Sequence, residues 1–236
     1  VPEVTETLKI RDIEAVVFDV LGTLVDEHGG LRAEIRDALP APDDASVDEL
    51  LTLWQRHLAR EQQRIERGQR AYANSETLDA EAARRVADHA GITDPATIAR
   101  LATAGQRPPA WADAAAGLER LARHFPVLAL SNAARTALLR LNAHAGLRWH
   151  QALSAETALA YKPSPAVYRL AIDTAGCPPE RVLMVAAHAW DLRGAQASGM
   201  RTAYVHRPAG DPPTGSDTFD GQFGGLDELV SALSAE

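Results

Sequence analysis

Apolar residues gather into four short runs, at residues 13–20, 127–130, 182–187 and 201–206. Each is closed by a polar or turn-forming group: Asp19 with Gly22, Ser131 with Asn132, His188, and Pro208. Runs of this length without polar alternation predict strands buried on both faces. Between them the period changes. Ala114, Leu118 and Leu121 share one face of a helix predicted over 113–123, and Leu138 and Leu141 do the same over 134–144. A further helix is predicted over 165–175, with Pro163 and Pro165 near its first turn, where a missing N–H costs little. Strands alternating with helices predict an α/β fold, a doubly wound Rossmann-like parallel sheet whose ligand site lies at the carboxyl ends of the strands.

Residues 27–106 break this rhythm. They contain no convincing strand, only helical segments bounded by Pro40, Pro42, Gly68, Gly91 and Gly105. Leu51, Trp54, Leu58 and Ile65 recur at helical spacing and predict a core-facing side. The expected organisation is a core domain of residues 1–26 and 107–236 with a helical cap domain, 27–106, inserted after the first strand. Pro108 and Pro109 mark the return to the core, and residues 211–216 (DPPTGS) read as a surface loop.

Composition narrows the classes. A chain of 236 residues with 46% hydrophobic content can bury a full core carrying an insertion. Its single cysteine, Cys177, excludes an intrachain disulfide and a thiol-rich zinc site. With 32 acidic against 24 basic residues, for a net charge of -8, there is no basic face for a phosphate backbone, so no nucleic-acid partner is expected. No apolar run approaches the roughly 20 residues that span a bilayer, so no membrane partner is expected either. The first residues mix charges before any apolar stretch and do not read as a signal peptide, which predicts cytoplasmic residence and a frayed start. Of the basic residues only Lys9 and Lys162 are lysines.

Candidate chemistry sits at the strand ends. In FDVLGTLVD (18–26) a carboxylate, Asp19, is followed by a glycine turn and Thr23, an arrangement that presents a nucleophile beside backbone N–H donors. Ser131 and Asn132 close the next run. YKPSPAVY (161–168) brings Lys162 before a helix, and VAAHAWD (185–191) brings His188 and Asp191. Each has a plain structural explanation as a cap, turn or surface group. Their joint order, Asp then Ser-Asn then Lys then Asp at successive strand ends, is what points to one site.

In that order and spacing, from residue 13 to about residue 233, the chain resembles the haloacid dehalogenase superfamily, and within it the L-2-haloacid dehalogenase (type II) branch. Phosphatases of the superfamily carry a second Asp at the first motif as general acid, where this chain has Leu21. They also need an acid in the fourth motif to hold Mg²⁺, where it has Ala186 and Ala187. Phosphonatases use a cap lysine, and residues 25–110 contain none. Halide leaves without a proton and asks for no metal, so the resemblance implies a metal-independent hydrolytic dehalogenase without cofactors, acting on a short 2-halocarboxylate. Homodimers are frequent in the family, so a homodimer is among the assemblies it implies.

The roles implied are these. Asp19 attacks the carbon bearing halogen and forms an ester, which water then opens at the carboxyl carbon. Lys162 keeps Asp19 ionised. Thr23 hydrogen-bonds Asp19, and Asp191 positions Lys162 and helps activate the water. Ser131 and Asn132 hold the substrate carboxylate, and Tyr168 lies near the substrate. His188 either donates to the ester or its water or has a structural hydrogen bond; Trp190 reads as packing. Two departures bear on the substrate. Leu21 stands where the family usually has an aromatic residue. The family's arginine after the cap tryptophan is here Gln55, with Arg56 next and Arg60 one turn on, and a residue step is about 100° on a helix. Gln55 and Arg56 are therefore candidate substrate contacts, with a solvated arginine face as the alternative. The runner-up functions are a related hydrolase, either a weak phosphatase or an enzyme opening a cyclic amino acid, and a non-catalytic carboxylate-binding protein.

Overall fold

Six strands, Ala15–Phe18 (β1), Val127–Ser131 (β2), Gln151–Ser154 (β3), Val182–Ala186 (β4), Arg201–Val205 (β5) and Gly221–Phe223 (β6), form one all-parallel sheet in the order β3-β2-β1-β4-β5-β6. They are seen in a computed structural model that describes residues 12–234. Lys9 and the start expected to fray lie outside the described residues. The chain winds outward from β1 to β3, then returns beside β1 and winds the other way. β1 is therefore at the point where the strand order reverses, and the crevice beyond its carboxyl end is where open α/β sheets bind ligands. Phe18 is in register with Ala129 of β2 and Val185 of β4, so Asp19 emerges between two neighbouring strand ends.

The continuous apolar runs follow from burial on both faces. Val16 and Phe18 pack with Ala114–Leu121 (α5), Arg135–Ala145 (α6) and Leu226–Ser234 (α9); Val17 packs with Pro165–Ala175 (α7) and Ala189–Ala197 (α8). β3, β6, α8 and α9 were not among the elements predicted from the sequence. The α/β assignment and the four predicted strands agree with the structure, apart from ends that shift by one or two residues.

Between β1 and β2 the chain makes four helices, Glu27–Ala38 (α1), Asp44–Glu66 (α2), Ser75–Ala90 (α3) and Pro95–Ala102 (α4). Side chains of Asp26, Asp43, Asn74 and Asp94 accept from backbone N–H groups in the first turns, supplying partners the helix itself lacks. Ile35, Leu51, Trp54, Val86 and Leu101 share a buried cluster separate from those of the sheet, with Leu58 at its margin. Ile65 lies outside that cluster, contrary to its expected place. The two ends of the insert run side by side: Asp26 N–H donates to Pro109 O at 2.8 Å, and Trp111 N–H to Leu24 O at 3.0 Å. Among the described residues no helix is long and apolar enough to cross a membrane.

Candidate active site

Asp19 follows β1, 6% exposed, with each carboxylate oxygen held. Lys162 Nζ donates to Oδ1 at 3.0 Å, and Thr23 Oγ1 donates to Oδ2 at 2.7 Å while accepting from the Ala187 N–H at 2.9 Å. One residue thus ties the β1 loop to the end of β4. Lys162 also donates to Asp191 Oδ2 at 2.7 Å, and the Tyr168 hydroxyl donates to Asp191 Oδ1 at 2.7 Å. Burial alone would lower the Lys162 pKa, but Asp19 and Asp191 outweigh it and hold the ammonium above its ordinary range. Asp191 is moved up by burial, against the pull of Lys162, with Asp19 adding to the rise.

The loop that carries Asp19 is shaped around His188. Its Nε2 lies 3.1 Å from Leu21 O and 4.0 Å from Asp19 Oδ2. A carbonyl can only accept, so Nε2 carries the proton. Gly22 has φ +78°, and a Cβ there would stand 2.6 Å from Nε2, so only glycine fits. From behind, Arg207 Nε donates to Thr23 O at 2.9 Å while its two terminal nitrogens grip Asp113 at 2.9 and 2.8 Å. Trp111 Nε1 donates to Gly22 O at 3.2 Å. Arg207 and Trp111 were not singled out in the sequence, because each acts through a backbone carbonyl that no motif marks.

At the end of β2, Ser131 Oγ accepts from the Ala133 N–H at 3.1 Å, and Asn132 Oδ1 accepts from the Lys162 N–H at 2.9 Å. With those acceptors engaged, the Ser131 hydroxyl proton and the Asn132 amide protons remain to be donated. Ser75 Oγ, at the start of α3, accepts from the Ala134 N–H at 2.8 Å and ties the insert to this corner.

A cavity of about 70 Å³ lies between insert and sheet ends. Leu21, Trp54, Leu58 and Leu78 give it apolar walls; Asn132, Ser75 and Gln62 add polar groups, and Glu27 and Asp79 add carboxyls. Burial pushes Glu27 up to about 7, against a pull from His188 and with a push from Asp19. Burial, then Glu27 and Glu76, push Asp79 up to about 8. Neither acid was a candidate in the sequence. A wider cleft of about 420 Å³ opens between α2 and the Lys162 loop, lined in part by Gln62, Glu66, Tyr161 and Trp190.

Three expectations are corrected by these positions. Gln55 and Arg56 are both exposed, and Arg56 borders a separate surface depression with Asp48, Thr52 and His89, because steps of about 100° turn them away from the cavity that Trp54 faces. Arg60 is exposed as well. Tyr168 is fully buried, lines neither opening and spends its hydroxyl on Asp191; Gly194 leaves room for that hydroxyl, which a Cβ would meet. Trp190 is 37% exposed and stacks on His188 rather than packing in the core. The remaining candidates, Asp19, Leu21, Thr23, Ser131, Asn132, Lys162, His188 and Asp191, converge at the ends of β1, β2 and β4.

A family model for haloacid dehalogenase-like hydrolases matches residues 13–199. Over 202 residues the chain is 31% identical to (S)-2-haloacid dehalogenase H-109 of Pseudomonas putida, covering 84% of this chain and 88% of the relative. A solved L-2-haloacid dehalogenase superposes with a TM-score of 0.85 at 29% identity, covering 95% of this chain and 100% of the other. Another, from Xanthobacter autotrophicus and solved with chloropropionic acid covalently bound, gives a TM-score of 0.78 at 26% identity over 92% and 97% of the two chains.

Proposed function

Because the chain belongs to the haloacid dehalogenase-like hydrolases, we propose that it is a hydrolytic 2-haloacid dehalogenase, with residues 27–106 as a cap domain over the catalytic core. Asp19 displaces halide from a short 2-halocarboxylate: its oxygen bonds to C2 as the carbon–halogen bond breaks, and the halide leaves with the electron pair. Water then adds to the Asp19 carboxyl carbon, freeing the 2-hydroxy acid and restoring the carboxylate, with one proton released.

The observation that carries this reading is the pair of donors on Asp19, a buried ammonium at 3.0 Å and a hydroxyl at 2.7 Å, beside a cavity with Leu21 on its wall. An opposite charge at that distance keeps the nucleophile ionised. The apolar Leu21 cannot supply the proton an alkoxide leaving group needs, whereas halide needs none. Ser131 and Asn132 present donors to the substrate carboxylate. Asp191 fixes Lys162 and, through it, helps activate the attacking water. Tyr168 acts through Asp191 as a positioning residue. His188 holds the Leu21 carbonyl, and with it the turn of the nucleophile loop. The covalently bound chloropropionic acid of the Xanthobacter autotrophicus relative is in keeping with an ester intermediate.

Replacing Asp19 with Asn removes the charge with little change of shape. Asp19→Asn is expected to lower halide release from 2-chloropropanoate by at least about 10³-fold. Retention of wild-type release by that variant would sink the mechanism.

A further inference from the structure

The cavity wall is acidic. Glu27, at the start of α1, and Asp79, on α3, both line it, and among the described residues no lysine, arginine or histidine does. Neither carboxyl has a hydrogen-bond or ion-pair partner among the described residues; burial and neighbouring charges alone act on them. The cations of the insert are committed elsewhere or face out. Arg70 grips Glu61 at 2.8 Å and Glu81 at 2.6 Å, Arg100 holds Glu34 together with Arg107 just past the insert, and Arg56 and Arg60 are exposed. A sequestered carboxylate is costly unless paired. Two such carboxyls lining one small space near Asp19 ionise more readily beside a positive partner, and among the described residues the lining offers none.

We propose that Glu27 and Asp79 form a subsite for a cationic group of the substrate. On this view the favoured substrate is a short 2-halocarboxylate that also bears a protonated amine. The inference rests on the dehalogenase reading above and names the substrate class of that same site. The Asn132 amide, with protons still to donate, takes the carboxylate end. The ammonium, with three donors, bridges Glu27 and Asp79. Such a zwitterion brings no net charge into a cavity whose own groups are acidic, whereas a simple haloacid adds another anion and leaves both acids unpaired. The upward displacement of both carboxyls agrees with this, since a bound cation would reverse it. Size limits the chain. About 70 Å³ lies between the roughly 30 Å³ of one liquid water and the roughly 150 Å³ of a cavity that holds benzene.

The test uses isosteres. In 3-amino-2-chloropropanoate an ammonium replaces the terminal methyl of 2-chlorobutanoate. At about pH 7, where an alkylamine is protonated, the wild-type protein is expected to release halide from the amine with a kcat/KM at least about tenfold higher. Glu27→Gln and Asp79→Asn are each expected to bring that ratio toward one. A wild-type ratio of one or below, or a ratio that neither variant changes, overturns the proposal. If neither compound nor 2-chloropropanoate releases halide, the dehalogenase reading falls, and a binding pair still decides the subsite. Calorimetry on the wild-type protein with β-alanine and its isostere butanoate is then expected to show tighter binding of β-alanine; equal or weaker binding overturns the subsite.

Discussion

Lys162 is the residue on which the site's charge depends. It stands between two buried carboxylates, at 3.0 Å from Asp19 and 2.7 Å from Asp191. Removing one partner of a buried ion cluster costs about 3–5 kcal/mol, because the charges left behind are uncompensated. Lys162→Met is therefore expected to lose roughly that much stability in denaturant unfolding at neutral pH, together with halide release. The pH dependence has a definite sign. The folded-state pKa of Lys162 lies above its ordinary 10.5, so its stabilising effect is fully present below that value and lost as pH rises through the folded pKa. Wild type should lose stability above about pH 10.5, and Lys162→Met should lack that contribution; matching alkaline profiles would contradict it. Asp19, Thr23, Lys162 and Asp191 were legible in the sequence because their types and order are those of a charge-bearing strand-end site. The direction of the Tyr168 side chain was not, since position on a helix does not reveal which partner a hydroxyl finds. Gln55 and Arg56 turn outward, in keeping with the solvated-face alternative, because the phase of α2 is set by packing of Trp54 and Leu51. Glu27 passed unnoticed because a glutamate in a helix's first turn is ordinarily explained by the helix dipole.

The decisive element is the loop 20–26, and what fixes it lies far along the chain. Arg207, after β5, holds the Thr23 carbonyl and makes a two-point contact with Asp113, while its guanidinium lies 5.6 Å from the Trp111 ring centroid. Lysine can keep the charge but not the fork. Arg207→Lys is expected to cost about 2 kcal/mol, within the usual range for breaking a buried hydrogen-bonded network, and to lower Tm by about 4–8 °C, given 2–4 °C per kcal/mol for a chain of this size. Thermal unfolding checks this; an unchanged Tm would remove Arg207 from the support of the loop. Most elements were readable from period alone. β3 was missed because Gln151 and Ala152 are exposed on an edge strand, leaving little apolar signal, and β6 because it is three residues beginning at Gly221. α8 carries little apolar signal, since its buried face is Ala189, Asp191, Leu192 and Ala195, whereas α9 does carry a pattern, with Leu226, Leu229, Val230 and Leu233 buried at helical spacing.

Over the whole molecule, the sheet supplies rigid strand ends and the helical insert supplies a wall. The order reversal at β1 brings residues 19, 131, 162 and 191, distant in sequence, to one crevice. The paired ends of the insert at Asp26 and Pro109 set that wall over it, and Ser75 ties the two at a second point. This division was visible in the sequence as a change from strand-helix alternation to helices alone. The contents of the cavity between the two parts were not, because they depend on the faces that four helices turn inward. The central claim is that an Asp19 oxygen, not a solvent oxygen, first enters the product. With enzyme in excess over 2-chloropropanoate in ¹⁸O-water, mass spectrometry of a single turnover should find unlabelled 2-hydroxypropanoate and ¹⁸O in the peptide containing Asp19. A labelled first product with an unlabelled Asp19 peptide would contradict the account.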